Sequence, residues 1–229
     1  MSKTGCAALI AIQIVFGGVA CFSGTTLRER KLQQHDDCWS IEIKYPIIEG
    51  DSTFNAAVLH RVSTVAAAFR KGLPKTASKS YPDYGAYLKG KYGAQILTNG
   101  IVSVLFEYEE YVPGAAHPWG MMASMNYDSR SARFLRLSDL FRPGSNYLSR
   151  LSEISIHDLQ EHEYAEETAI RRGAGPLEKN FAVFTLTDTE LVVHFQQYQV
   201  AAGAVPSEQV SIPLKKLAPL LRKHYLAEK

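Results

Sequence analysis

The chain has 229 residues, enough for one substantial folded body, and its 46% hydrophobic and 21% charged residues exclude a disordered polymer. A formal charge of +2, with no dense run of Lys and Arg, removes the electrostatic case for nucleic-acid binding. Three Cys allow at most one disulfide, and a domain of this size has enough core not to depend on one.

The first residues read as an export segment. Lys3 gives a short basic start, and Ala7 to Phe22 is apolar apart from Gln13. That run is short for a membrane span, which needs about 20 residues. Gly18 and Ala20 are small residues at the −3 and −1 positions before Cys21, as a signal peptidase requires. Residues 1–22 are therefore expected to be a signal peptide or a lipoprotein signal, with a retained N-terminal anchor as the alternative. Cys21 is the lipidation candidate, although Gly18 stands where a lipobox has Leu. Alternatively, Cys21 pairs with Cys38. Residues 23–37 are polar and charged, and are expected to be a tether. Residues 38–229 are expected to form a single domain.

Within that domain Trp39, Ile41, Ile43 and Tyr45 alternate with Ser40, Glu42 and Lys44, the period of a half-buried strand, which Pro46 should end. A helix follows. Asp51 or Ser52 can cap it, and Phe54, Ala57, Val58, Arg61, Val62, Val65, Ala66 and Phe69 share one face. Arg70 and Lys71 suit its negative end, Gly72 can turn left-handed past it, and Pro74 blocks continuation. Asn99-Gly100 predicts a two-residue type I′ hairpin between strands near 87–97 and 101–112. The returning strand should put Val102, Val104, Phe106 and Tyr108 on one face and Ser103, Glu107 and Glu109 on the other. Met121 to Tyr127 predicts a third strand and Arg133 to Leu137 a fourth. Ser138 to Phe141 predicts a short capped turn, and Ser145 caps a second helix carrying Leu148, Leu151 and Leu159.

The polar segment from Glu161 to Asn180, with Gly173-Ala174-Gly175-Pro176 inside it, is expected to be a mobile loop. Phe181 to Leu186 and Leu191 to Phe195 form a hairpin turned at Asp188-Thr189, followed by a strand at Val210 and Ile212. Leu214, Leu217, Leu221 and Tyr225 predict a final amphipathic helix. Hairpins dominate, so the fold class is α+β: a mainly antiparallel sheet with an N-terminal, a middle and a C-terminal helix packed on it.

Several blocks carry a resemblance through their order. They are Tyr45-Pro46 with Asn55 early in the helix; Ile101, Ser103 and Phe106 leading through Tyr111 to Gly114-Ala115-Ala116-His117-Pro118; Asn126 to Asp128; Leu137-Ser138-Asp139-Leu140-Phe141; and Phe181-Leu186, Val193, Phe195, Tyr198, Gly203 and Val210-Ile212-Pro213. Together they resemble the RsiV-like extracytoplasmic domain family, which includes the outer domain of the anti-sigma factor RsiV and the accessory domain of PdaC-type peptidoglycan deacetylases. Ala115 departs from the family's usual second Gly. The stretch between Tyr198 and Gly203 is shorter than usual and lacks a Pro-Tyr pair. The resemblance implies an exported domain of the bacterial envelope, in the periplasm or on the outer face of a membrane and touching the membrane only through its N-terminal signal or lipid. It implies a binding role, with a lysozyme-like protein or a peptidoglycan-derived glycan as partner.

His117 is the candidate binding residue in the Gly/Ala-rich loop. Tyr111 and Trp119 flank it as stacking surfaces, and Tyr198 joins them from the last block. The competing structural reading has the imidazole holding nearby carbonyls. A hydrolase using His117 with Asp128, Asp139 or Glu107 is the alternative function, but no Gly-x-Ser-x-Gly elbow accompanies it. His162-Glu163-Tyr164-Ala165-Glu166 lacks the second His of a zinc helix, and His157 lies off its face. No metal and no cofactor is expected, and no catalytic residue is assigned.

Overall fold

The computed structural model describes residues 19–22, 25–73, 85–162, 166–201 and 207–225. Residues 1–18 of the expected export segment lie outside them, as do Pro74 and Gly203. The described residues divide into two compact units. One takes the chain up to Tyr92 together with Phe106–Gly120; the other takes Gly93–Leu105 and the chain from Met121 onward.

In the first unit β1 (Val19–Phe22), β2 (Thr25–His35), β3 (Trp39–Ile48), the start of β4 (Ala86–Ile96) and the end of β5 (Ile101–Tyr111) follow one another. The first two pairings are antiparallel. β3 and β4 are parallel, and helix α1 (Ser52–Gly72) is the crossover between them. The residues expected to be a tether are thus a strand. Leu27 and Leu32 are its buried residues, and being five apart they lie on opposite faces, so β2 shows no period-two signature. Its charges are cross-strand partners. Lys31 faces Lys44 in register, and each turns to a diagonal carboxylate: Lys31 to Glu42 at 3.0 Å and Lys44 to Glu29 at 3.4 Å. The Lys31 ammonium holds Glu42 below the usual carboxylate range. Cys21 lies in β1 opposite Thr26.

Pro46 does not end β3. The Glu49 N–H binds Thr26 O, so hydrogen-bonded pairs with β2 fall at every second residue from there, and Pro46, opposite Glu29, falls between them. Its ring nitrogen faces the other side, where β4 pairs only with Trp39–Ile43. Asp51 caps α1, its Oδ1 accepting from Phe54 N at 2.9 Å. Phe54, Val58, Val62, Ala66 and Phe69 are buried as expected. Gly72 is the last helical residue and does not turn left-handed. The helix stops because Leu73, which precedes Pro74, is extended (φ −65, ψ 132).

The second unit holds the end of β4, the start of β5, most of β6 (Trp119–Asp128) and β7 (Arg133–Phe134), together with a three-stranded antiparallel sheet. That sheet is ordered β10 (Glu208–Pro213), β9 (Glu190–Phe195), β8 (Phe184–Leu186). The hairpin at Asn99-Gly100 is wider than predicted. Leu97 N binds Ile101 O and Gly100 N binds Leu97 O, leaving the three-residue loop Thr98-Asn99-Gly100. Only Gly100 takes a positive φ (+81), because Asp188 Oδ1 ties down both Thr98 N and Thr98 Oγ1 at 2.8 Å.

Ser103 is buried, although it shares the strand face of Glu107 and Glu109. Its hydroxyl donates to Asn126 Oδ1 at 2.6 Å and accepts from Leu186 N at 2.9 Å, while Asn126 Nδ2 donates to Phe184 O. Helix α2 (Tyr147–Leu159) starts at Asn146 and Ser145 does not cap it. The expected mobile loop contains α3 (Glu167–Gly173) and a 3-10 turn (Glu178–Phe181). Side-chain amides order it: Asn180 Nδ2 donates to Arg172 O and Gly175 O, and Gln199 Nε2 to Gly173 O and Asn180 O.

The final helix is also divided. α4 is Leu214–Leu217, Pro219 interrupts it, and a 3-10 turn spans Lys223–Tyr225. Leu214, Leu217, Leu221 and Tyr225 are nonetheless buried. Two arginines fix this segment reciprocally. Arg142 donates through N to Leu220 O and through Nε to Leu221 O; Arg222 donates through N to Leu140 O and through Nε to Phe141 O. The α+β class and its mainly antiparallel pairing are borne out.

Candidate functional site

In the first unit the strand order and period leave Tyr87, Lys89 and Lys91 of β4 on one face with Glu107, Glu109 and Tyr111 of β5. Tyr87 and Tyr111 stack with ring centroids 5.7 Å apart and planes 29° apart. The Tyr87 hydroxyl donates to Glu109 Oε1 at 2.8 Å. Lys89 Nζ lies 4.7 Å from the Tyr87 ring centroid, a cation–π contact. Lys91 pairs with Glu107 at 2.8 Å. Partial burial and the Glu109 carboxylate push the Tyr87 phenol up, so it stays a donor across the neutral range.

The loop after β5 carries the predicted residues. Gly114 takes φ +96, and Ala115 N binds Val112 O to close the turn. His117 is exposed, and its Nδ1–H donates to Pro118 O at 2.8 Å. This is the carbonyl-holding arrangement of the structural reading. Trp119, the first residue of β6, is 42% exposed. Tyr111, His117 and Trp119 thus belong to the first unit. Tyr198 belongs to the second, half-buried in the turn after β9, with an uncommon positive φ of 64 in a turn closed by Gln199 N to Gln196 O.

Sequence reasoning missed Tyr87, Lys89 and Glu109. The turn signal misdirects here: a two-residue Asn99-Gly100 loop would pair Tyr87 with Val112, and only the observed three-residue loop, closed by Leu97 and Ile101, sets Tyr87 against Tyr111.

The carboxylates considered for a hydrolase have other work. Glu107 binds Lys91 and Asp128 accepts from Arg130 N and Ser131 Oγ. Asp139 accepts from Arg136 N at 2.9 Å. His162 meets Glu208 at 3.0 Å and Asp158 at 3.7 Å. Among the described residues no group of three or more His, Cys, Asp and Glu is arranged to hold a metal.

The family described as "Protein of unknown function (DUF3298)" matches residues 138–215. The chain is similar to the peptidoglycan-N-acetylmuramic acid deacetylase PdaC of Bacillus subtilis, 24% identical over 237 residues, covering 95% of this chain and 50% of PdaC. It is also similar to an esterase of Mycobacterium tuberculosis, 27% identical over 111 residues, covering 47% of each. The chain spans about half the length of the curated relatives it matches. Two crystal structures share the fold. A DUF3298 family protein from Pseudomonas aeruginosa has a TM-score of 0.61 at 15% identity, covering 89% of this chain and 98% of the other. A DUF3298 family member from Bacteroides fragilis also has a TM-score of 0.61, at 17% identity, covering 86% and 94%. The resemblance to PdaC drawn from the sequence blocks is borne out. Among the described residues no helix is long and apolar enough to cross a membrane.

Proposed function

We propose that this chain acts outside the cytoplasm as a non-catalytic domain that holds a peptidoglycan-derived glycan on the Tyr87–Tyr111 face. The observation that carries this reading is the stacked tyrosine pair with Glu109 beside it on a solvent-facing sheet surface. A pyranose presents weakly positive C–H groups to a ring whose face is negative, and its hydroxyls need carboxylate and ammonium partners nearby. Glu109 and Lys89 supply both. Trp119, 42% exposed, is a further aromatic side chain of the same unit. Export is supported by the similarity to a peptidoglycan deacetylase and by the apolar leader, with Cys21 as the residue that would carry lipid.

The test is titration of the purified chain with soluble glycan oligosaccharides released from peptidoglycan, beside a titration with lysozyme. Saturable glycan binding that falls at least tenfold in the Tyr111→Ala, Trp119→Ala double variant supports the reading. Binding of lysozyme alone, or of neither, overturns it.

A further inference from the structure

Among the described residues four strands lie at sheet edges: β1, β7, β8 and β10. An edge offers unpaired N–H and C=O groups to any other strand, so proteins shorten, charge or cover it. β1 has four residues and β7 two. Past them, β2 carries Glu29, Arg30 and Lys31, and the Gln196 amide clasps Met122 of β6. The outer side of β8 is covered by side chains: Phe184 N donates to Ser124 Oγ, Leu186 N to Ser103 Oγ, and Phe184 O accepts from Asn126 Nδ2. β10 is built differently. Its six residues run in unbroken register with β9, from Glu208 opposite Phe195 to Pro213 opposite Glu190, and Gln209 to Ile212 carry no charge.

The phase of the ladder fixes what that edge offers. Leu214 N binds Thr189 O in the same register, so Glu208, Val210 and Ile212 bond to β9, while the backbone groups of Gln209 and Ser211 point away from it. Both residues are exposed, and among the described residues no group takes their outward N–H and C=O. The next outward residue, Pro213, has no N–H, and it is the N-cap of α4. The open stretch is therefore centred on Val210, which is buried and points into the core with Ile212.

We propose that this edge pairs with the same edge of a second copy of the chain, antiparallel about a twofold axis at Val210. That register sets Gln209 of each copy opposite Ser211 of the other. Gln209 N donates to Ser211 O and Ser211 N to Gln209 O, and the twofold repeats both bonds, so every outward N–H and C=O of the two residues is used. A slip toward the C-terminus brings in Pro213, which has no N–H to give, and leaves Gln209 O unmet. Charge selects the antiparallel direction. Glu208, held by His162 at 3.0 Å, opens β10, and Lys215 and Lys216 follow its end. Antiparallel copies bring each acidic start beside the other's basic end, whereas parallel copies bring like charges together. The two small sheets then become one, with Val210 of both copies side by side on the core face.

The experiment uses the whole chain, with mass measured by sedimentation and backbone amide exchange read residue by residue as concentration rises. The mass should climb toward twice that of one chain between about 10 μM and about 1 mM, the range for a contact smaller than a permanent interface. Over that range exchange of the Gln209 and Ser211 amides should slow about tenfold or more, while Val210 and Ile212, already bonded to β9, stay unchanged. Ser211→Pro removes an outward N–H and leaves the β9 ladder whole, and Pro213 already sits at the same phase; association should weaken about tenfold. Ser211→Lys keeps the N–H but sets like charges near each other across the axis; association should weaken at low salt and recover in part at high salt. A chain that stays single at every concentration overturns the proposal. So does a dimer in which the Gln209 and Ser211 amides exchange as in the single chain, or one that both variants form as readily as the parent. Capture of another protein's extended peptide on this edge, without self-association, overturns it too.

Discussion

Asn55, in the first turn of α1, holds Ile48, the last residue of β3, by both backbone groups: Oδ1 accepts from Ile48 N and Nδ2 donates to Ile48 O, each at 2.8 Å. A primary amide has the donor and acceptor spacing of a peptide group, so Asn55 stands in for a neighbouring strand where β4 no longer pairs with β3. Asn55→Ala leaves a half-buried N–H and C=O with no replacement, and is expected to cost about 2 kcal/mol. Urea unfolding checks this. The midpoint should fall with the slope unchanged, since the same surface is exposed on unfolding.

Tyr108 poses the opposite case. Its ring lies in the core of the first unit, stacked 6.2 Å from Phe106, but among the described residues its hydroxyl has no hydrogen-bond partner. Burial pushes the phenol up to about 12 against the opposing pull of Arg61. A group whose pKa is raised on folding adds stability that is whole below its unfolded pKa of about 10 and is lost as pH climbs from there to about 12. Tyr108→Phe should therefore do two things. It should raise stability at neutral pH by about 1 kcal/mol by removing an unpaired oxygen. It should also flatten part of the alkaline fall. The remaining slope belongs in part to Tyr92, which burial, aided by Glu29, also pushes up to about 12. Denaturant midpoints measured across the alkaline range decide it.

Legibility in the sequence followed the size of the periodic signal. The α1 stripe from Phe54 to Phe69 was readable because five buried residues recur at helical spacing. β2 was not, because Leu27 and Leu32 sit on opposite faces and charges fill the positions between. Leu214, Leu217, Leu221 and Tyr225 read correctly as buried, yet one helix was the wrong carrier, since Pro219 divides it and the Arg142 and Arg222 side chains supply the lost order. Side-chain amides were the least legible. Gln196 clasps Met122 O and N as Asn55 does Ile48, and Asn180 with Gln199 orders a segment whose composition reads as a loop. Such bonds join residues far apart in sequence and leave no local pattern. At the candidate site Tyr111 and Trp119 were picked out from the loop motif, whereas Tyr87 needed the register of a three-residue loop that the Asn99-Gly100 signal did not give.

Two glycines at helix ends should respond with opposite sign. Gly173 closes α3, and a Cβ there would overlap the Gln199 carbonyl. That carbonyl belongs to the residue whose own amide holds Gly173 O, so neither side can retreat without breaking the bond. Gly173→Ala is expected to cost on the order of 3 kcal/mol. Gly72 ends α1 with no atom within 4 Å of a built Cβ and without a positive φ. Gly72→Ala should stabilise by about 0.5–1 kcal/mol, because alanine loses less backbone entropy in a helix. Thermal unfolding of the two variants side by side gives both signs in one comparison.

Ser103 and Asn126 form the buried polar centre of the second unit, and they act as one device. The Ser103 hydroxyl bridges Asn126 Oδ1 and Leu186 N; Asn126 Nδ2 reaches Phe184 O, so both residues hold β8. Ser103→Ala strands the Leu186 N–H and Asn126 Oδ1, and Asn126→Ala strands Phe184 O and the Ser103 hydroxyl hydrogen. Each single change should cost about 2–3 kcal/mol, because buried polar atoms lose partners that water cannot replace. The double variant should cost less than the two added together, by about 1 kcal/mol or more, since the bond between the two side chains is counted in both. A double-mutant cycle in denaturant measures the coupling. Strict additivity would mean that each residue holds β8 alone. A large coupling would explain why the ordered blocks that drew attention in the sequence contain both residues: they are needed to seat a short strand that has only three residues of its own to pair.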